Sequence, residues 1–276
     1  MAQPPHVIIA AAASEAAAVR RALRVQRRGR WIAYEYVPSD AEGTYRWWEG
    51  EAGGRPLVLI RGGIGTRRAG RAAEIACVEV RPRGLLALGF AGALRADLPP
   101  GTLVVAERTR ADGPDGPDLA TPTADAALVR AAVAAGHAAG ISTACGVLIT
   151  APALAATPEA KTALAASTGA LAVDMEAGAV AAVAARAGLP FLAAKIVFDA
   201  AHEPLHPALL EVVRPDGTPR ILRAARLAAR DPEARAALHW AGRRSRLAAT
   251  MLTRFCRAFL PLVGAGGRLD GGGPFP

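Results

Sequence analysis

Short, continuously apolar runs recur along the chain with alanine-rich stretches between them, and this pattern limits the fold more than any other feature. Val7–Ala12, Pro56–Arg61, Gly84–Gly89, Thr102–Arg108, Gly146–Thr150, Ala170–Val173 and Pro190–Phe198 each read as a strand. Strands with one wet face alternate polar and apolar residues, and these do not. They are expected to be covered on both faces. Between them, Glu15–Arg27, Arg67–Arg81, Leu128–Ala139, Pro158–Ser167 and Glu176–Ala187 have helical composition. Such alternation gives an α/β fold. With 276 residues, 52% of them hydrophobic, the chain can bury a large core, and wholesale disorder is excluded.

The formal charge of +9 is unevenly placed. Residues 1–204 carry 21 basic and 19 acidic residues, a net of +2, and residues 205–276 carry 12 and 5, a net of +7. Any role for positive charge therefore belongs to the C-terminal quarter. Of the 33 cationic residues only Lys161 and Lys195 are lysines.

Several function classes fall away. The three cysteines, Cys77, Cys145 and Cys256, are far apart with no CxxC pair, which speaks against zinc, iron–sulfur and disulfide frameworks. Gly63-Ile-Gly65 lacks the third glycine of a dinucleotide fingerprint, and GxSxG, HExxH and P-loop motifs are absent. The five histidines are scattered, so no metal and no cofactor is expected. The segment before Val7 has no basic residue and reads as the approach to a first strand rather than a signal peptide. Ala177–Ala194 is interrupted by Arg186, Gly188 and Pro190, which rules it out as a membrane span. A cytoplasmic protein is the expectation.

Two acidic sites follow strand-like segments, where ligands collect in open α/β sheets. One is Val173-Asp-Met-Glu176, and the other is Asp199 after Ala193–Phe198. A third carboxylate, Glu15, follows the first strand. Taken singly, Glu176 is an ordinary acid at a helix start and Asp199 an ordinary cap.

Taken in order, the segments resemble the superfamily of purine nucleoside phosphorylases and methylthioadenosine/S-adenosylhomocysteine nucleosidases. The resemblance rests on Gly62-Gly-Ile-Gly65, Leu88-Gly-Phe-Ala-Gly-Ala-Leu94, Gly101-Thr-Leu-Val104, Ala172-Val-Asp-Met-Glu-Ala177 and Ile196-Val-Phe-Asp-Ala200, spanning roughly residues 5–203. It implies a three-layer α/β fold with a mixed central sheet flanked by helices. It also implies an enzyme that cleaves the N-glycosidic bond of a nucleoside and assembles as a homo-oligomer. Asp199 matches the general acid that protonates the purine, and Glu176 the carboxylate that binds the ribose hydroxyls. Met175 matches the residue packed on the ribose, and Glu15 the acid that orients the attacking water. Gly65 and the turn Phe90-Ala91-Gly92 would lie against the substrate. Phosphorylases of this type carry an arginine and a serine where this chain has Ala87 and Phe90, which favours water as nucleophile. Arg67 and Arg68, after the first glycine turn, offer a phosphate site instead. Thr150–Leu154, which supplies an aromatic ring near the base in many nucleosidases, has none here.

The segment from Asp199 to Leu210, with Pro215-Asp-Gly217 and the arginine-rich stretches after it, is similar to the hopanoid-associated phosphorylase branch. This implies a lipid-linked adenine nucleoside, adenosylhopane, as substrate. The alternatives are methylthioadenosine, S-adenosylhomocysteine or a simple purine nucleoside. The chain divides on this reading into a catalytic domain (1–204), a basic helical extension (205–263) and a loose glycine-rich tail (264–276). Pro219–Arg230 and Ala234–Leu260 alternate arginine with apolar residues in a helical manner, which suits a covering layer or the surface of an anionic membrane. Nucleic acid is not expected as a partner of the enzyme. It enters only in the contrary case of a non-catalytic basic binding protein.

Overall fold

The computed structural model describes residues 3–32, 43–111 and 123–263. The elements run β1 (His6–Ala10), α1 (Ala13–Arg20), β2 (Arg24–Ile32), β3 (Thr44–Ala52), β4 (Arg55–Arg61), α2 (Thr66–Glu79), β5 (Gly84–Ala93), β6 (Leu103–Ala111), α3 (Ala126–Ala138), β7 (Thr143–Thr150), α4 (Pro158–Thr168), β8 (Ala172–Asp174), α5 (Ala177–Arg186), β9 (Phe191–Asp199), α6 (Ala208–Glu211), α7 (Ile221–Arg230) and α8 (Pro232–Phe259). All seven expected strands are present. The Gly/Asp/Pro cluster Ala111–Pro117 reads in sequence as a loop; Ala111 ends β6, and residues 112–122 lie outside the described residues, as does the 264–276 tail.

One mixed sheet has the order β2-β3-β4-β1-β5-β8-β7-β6-β9, and β9 returns to pair in parallel with β5. Strands β5, β8, β7, β6 and β9 therefore close on themselves, while β1, β4, β3 and β2 continue as an open wing. Strand β5 makes this possible. Its first half pairs with β1, and its end, Gly92 and Ala93, pairs antiparallel with β8 on the edge that β1 has left.

Both faces are covered, as the continuous apolar runs require. Along β1, Val7 and Ile9 face a cluster shared with α2 and α5, and Ile8 faces one shared with α1, α3 and α8. Phe255 and Phe259 of α8 are fully buried there and stack at 5.0 Å between ring centroids. The long C-terminal helix thus completes the main core. Local signals fix its start: Asp231 caps the backbone N–H groups of Glu233 and Ala234, with Pro232 at the first turn. Thr157 and Pro158 do the same for α4, and Gly169 ends it in a left-handed conformation at φ 65°.

The expected helix Glu15–Arg27 is corrected. It ends at Arg20, and Arg24–Ile32 forms β2, antiparallel to β3, an element with no counterpart in the sequence reading. Cross-strand pairing outweighs the helix propensity of arginine here. Arg24 pairs with Glu51 at 3.6 Å and Arg27 with Glu49 at 3.4 Å, and the indole of Trp47 covers Gly29 where a Cβ would sit 2.7 Å from the ring.

Candidate active site

The ends of β1, β5, β8 and β9 surround a cavity of about 620 Å³. It collects Glu15, Met175, Glu176 and Asp199, with Phe90, Ala91 and Gly92 of β5 on the wall. Residues more than 180 positions apart meet here because the sheet brings several strand ends together.

Glu15 lies in the first turn of α1 and is buried. Its Oε2 accepts the backbone N–H of Ala12 at 2.7 Å, and its Oε1 that of Phe90 at 2.6 Å. The approach is close: a Cβ on Gly89 would lie 2.4 Å from Oε1. Burial raises the pKa of this carboxyl, while the charge of Lys195 and the backbone donors oppose the shift.

Glu176 precedes α5. Its Oε1 accepts the N–H of Gly65 at 2.9 Å. Gly65 has φ 95°, open to glycine, and it points its N–H into the protein from the turn ahead of α2. Gly65 therefore supports Glu176 and does not itself line the cavity. Burial pushes Glu176 up to about 7, the Lys195 ammonium working against the shift and the neighbouring Asp174 and Glu15 with it.

Asp199 closes β9. Its carboxyl is raised by burial, opposed by Lys161, whose Nζ makes an ion pair with Oδ2 at 2.5 Å. Gly92 gives it room, since a Cβ there would meet Oδ2 at 3.2 Å.

The two lysines went unassigned in the sequence, and both are buried among these acids. Lys161 donates to the carbonyls of Ala200 (2.7 Å) and Glu203 (2.8 Å) besides its pair with Asp199. Two carbonyl acceptors and a carboxylate at ion-pair distance suit a compact ammonium, where a planar guanidinium would not fit. Lys195 lies 2.8 Å from Asp174 and 3.9 Å from Glu176. Burial works against its charge, but Asp174, Glu176 and Glu15 together outweigh burial and hold the ammonium protonated. Asp174 is structural: it accepts from Thr150 Oγ1 and from the N–H of Ala177 as well. The available signal was scarcity, because two lysines among 31 arginines mark places where arginine does not fit.

The arginines considered for phosphate lie elsewhere. Arg67 is exposed on α2, and Arg68 is buried with its Nε on the carbonyl of Gly62 at 3.2 Å and its guanidinium 5.0 Å from the Tyr45 ring. Neither lines the cavity, whereas Arg214 does. Thr150–Leu154 is without an aromatic ring, and Phe90 and Phe198 supply two on the wall, 6.1 Å apart.

The segment after residue 204 forms the rest of the enclosure. Leu205, Leu209, Val212, Val213 and Pro215 line it, with Leu238 from α8. The Pro215-Asp-Gly217 turn is pinned to the strand ends. The Pro215 carbonyl accepts from Ile64 at 2.8 Å, the Gly217 carbonyl accepts from Ala13 at 2.9 Å, and Asp216 pairs with the buried Arg61 at 3.2 Å. A further link ties this region to the acid. Glu203 accepts the N–H of Ala200 and pairs with Arg244 of α8, whose guanidinium sits over Trp240.

Solved structures with the same fold include S-adenosylhomocysteine nucleosidase from Streptococcus pyogenes in complex with 5-methylthiotubericidin. It is 18% identical with a TM-score of 0.68, covering 93% of this chain and 98% of that one. The 5′-methylthioadenosine/S-adenosylhomocysteine nucleosidase from Neisseria meningitidis in complex with methylthio-immucillin-A follows at 19% and 0.66, covering 92% and 99%. Futalosine hydrolase of Helicobacter pylori is similar at 17% and 0.65, covering 91% and 97%. No curated protein matches the chain by sequence. A family model, the phosphorylase superfamily, matches residues 5–229. On that match, the chain belongs to the phosphorylase superfamily.

Proposed function

We propose that the protein cleaves the N-glycosidic bond of a 5′-modified adenosine and releases adenine. The observation that carries this reading is the convergence of the buried Glu15, Glu176 and Asp199 on one cavity. Three carboxylates in a desolvated site suit a reaction in which the sugar becomes cationic and the leaving base must be neutralised. Asp199, with its raised pKa, carries a proton to N7 of the purine as the C1′–N9 electron pair moves into the base. Glu176, ionised, accepts hydrogen bonds from the ribose hydroxyls, which strengthen as positive charge develops on the ring. A water adds its oxygen to C1′ and gives its proton to Glu15. The Glu15 carboxylate takes the backbone donors of Ala12 and Phe90 and keeps capacity for the water. Phe90 and Phe198 offer faces to the purine, and Met175 packs on the ribose.

Water is preferred to phosphate because Arg214 is the one cationic side chain on the lining, while the buried Lys161 and Lys195 ammonium groups are already paired with Asp199 and Asp174. A phosphate dianion would meet repulsion from the acids beside it. The apolar wall of Leu205, Leu209, Val212, Val213 and Leu238 suits an apolar 5′ substituent and supports a lipid-linked nucleoside such as adenosylhopane. Methylthioadenosine, with a small thioether at that position, is the smaller alternative. The test is incubation with adenosine, methylthioadenosine and adenosylhopane, each with and without phosphate, followed by identification of the sugar. Adenine with a free reducing sugar in the absence of phosphate is the expected product. A sugar 1-phosphate among the products would make phosphate the nucleophile in place of water, and no adenine from any of the three would remove the proposal.

A further inference from the structure

We propose that α7 docks the protein on an anionic lipid surface. The two arginine-rich stretches read alike in sequence, and they differ in the structure. Leu252, Phe255 and Phe259 of α8 are buried in the core. Helix α7 has no buried residue. Ile221 is 72% exposed and Leu222 74%, and among the described residues they are the only adjacent pair of large hydrophobics that both face solvent.

The three faces of α7 are distinct. At about 100° per residue, Ile221, Ala225, Ala229 and Leu222 fall on one arc of about 100°. All four are exposed. Arg226 and Arg230 occupy the next arc, also exposed, beside Arg223, which pairs with Glu211, and Ala224, Leu227 and Ala228 on the third are half-buried. The helix contacts α8 and α6. A helix held by its third face therefore presents an apolar stripe bordered by guanidinium groups, the layout of a helix lying in a membrane interface.

The chemistry selects among occupants. A second copy meeting this stripe with its helix antiparallel would bring the arginine arcs of the two helices together. Four side chains also fall far short of the roughly 20 residues a side of a stable interface. Nucleic acid would satisfy the arginines and leave Ile221 and Leu222 without a partner. An anionic bilayer takes both, with lipid phosphates for the guanidinium groups and the acyl boundary for the stripe. The net of +7 over residues 205–276 acts in the same direction. The stripe also adjoins the cavity rim: Arg214 lines the cavity, its guanidinium donates to the Pro219 carbonyl, and Val213 bridges to Pro219 just before α7. The docking surface does not depend on which nucleoside the cavity takes.

Cosedimentation of the full chain tests it, with vesicles of phosphatidylcholine alone and of phosphatidylcholine mixed with phosphatidylglycerol, at low salt. The expected result is binding to the mixed vesicles only. The double variant Ile221→Glu/Leu222→Glu should bind roughly tenfold more weakly or worse, with unchanged melting and unchanged adenine release from a soluble nucleoside. A wild-type chain that stays in solution with the mixed vesicles overturns the proposal. So does a double variant that binds as well as wild type, which would leave the stripe without a role. Self-association that the double variant abolishes, without vesicle binding, would assign the stripe to a second copy.

Discussion

Lys161 places its ammonium 2.5 Å from Oδ2 of Asp199, and no part of the lysine reaches solvent. The pair sits at the edge of the cavity, where burial favours a protonated Asp199 and the lysine favours the carboxylate. The balance between the two sets how readily Asp199 holds and gives a proton.

Lys161→Met removes the opposing positive charge, so the pKa of Asp199 rises further. If Asp199 acts in its protonated form, the basic limb of the kcat/KM profile moves to higher pH, and a pH–rate series measures this. Breaking a buried ion pair costs about 3 kcal/mol. Melting of the variant should therefore fall by on the order of 10 °C. An unshifted basic limb would reduce Lys161 to a packing role.

Glu176 gives a signed pH dependence. Its pKa rises from 4.5 to about 7 on folding, so the native state binds the proton more tightly than the unfolded chain. Its contribution to stability is full below pH 4.5 and is lost as pH rises through 7. Glu176→Gln should flatten that slope in thermal melts followed between pH 4.5 and 7.5. On the proposed mechanism the ionised form binds the ribose, so KM should rise as pH falls below 7. The variant should lose roughly 10²–10³-fold in kcat/KM.

Gly89→Ala tests the seat of Glu15. A methyl group there would lie 2.4 Å from Oε1, so the carboxylate must move off the Phe90 and Ala12 donors. Turnover should fall roughly 10²-fold, as expected for a misplaced proton-transfer group, while circular dichroism stays native. Turnover at the wild-type rate would detach Glu15 from the reaction.

Phe255→Ala opens a cavity between α8 and the sheet and should cost about 3–5 kcal/mol, seen as a fall in the denaturation midpoint. A chain ending at residue 204 would expose the core faces that α8 covers and lose the Leu205–Pro215 wall, so it should not yield a stable folded product. A stable, active truncation would show α8 to be dispensable.

Seven of the nine sheet strands and the three acids were legible because their signals are local: continuous apolar runs, and acids placed just after them. What stayed hidden depends on distant partners. Arg24–Ile32 looks helical until Glu49, Glu51 and Trp47 of the neighbouring strand are placed beside it. Lys161 and Lys195 were visible as the only two lysines, but their roles depend on acids 38 and 21 positions away. The turn at Pro215 read as punctuation because its acceptors serve Ile64 and Ala13 at the far end of the chain. The arginine-rich helices read alike because exposure, not pattern, separates the buried face of α8 from the open stripe of α7.

Adenine release by Asp199→Asn, compared with wild type on the best 5′-substituted adenosine, is the most direct test of the site. The side chain keeps its size and loses the proton that the base must receive. A loss of roughly 10²–10⁴-fold in turnover, with substrate still bound and the fold intact, is the predicted result. Adenine released at the wild-type rate would contradict the assignment of Asp199 as the acid and, with it, the chemistry proposed for the cavity.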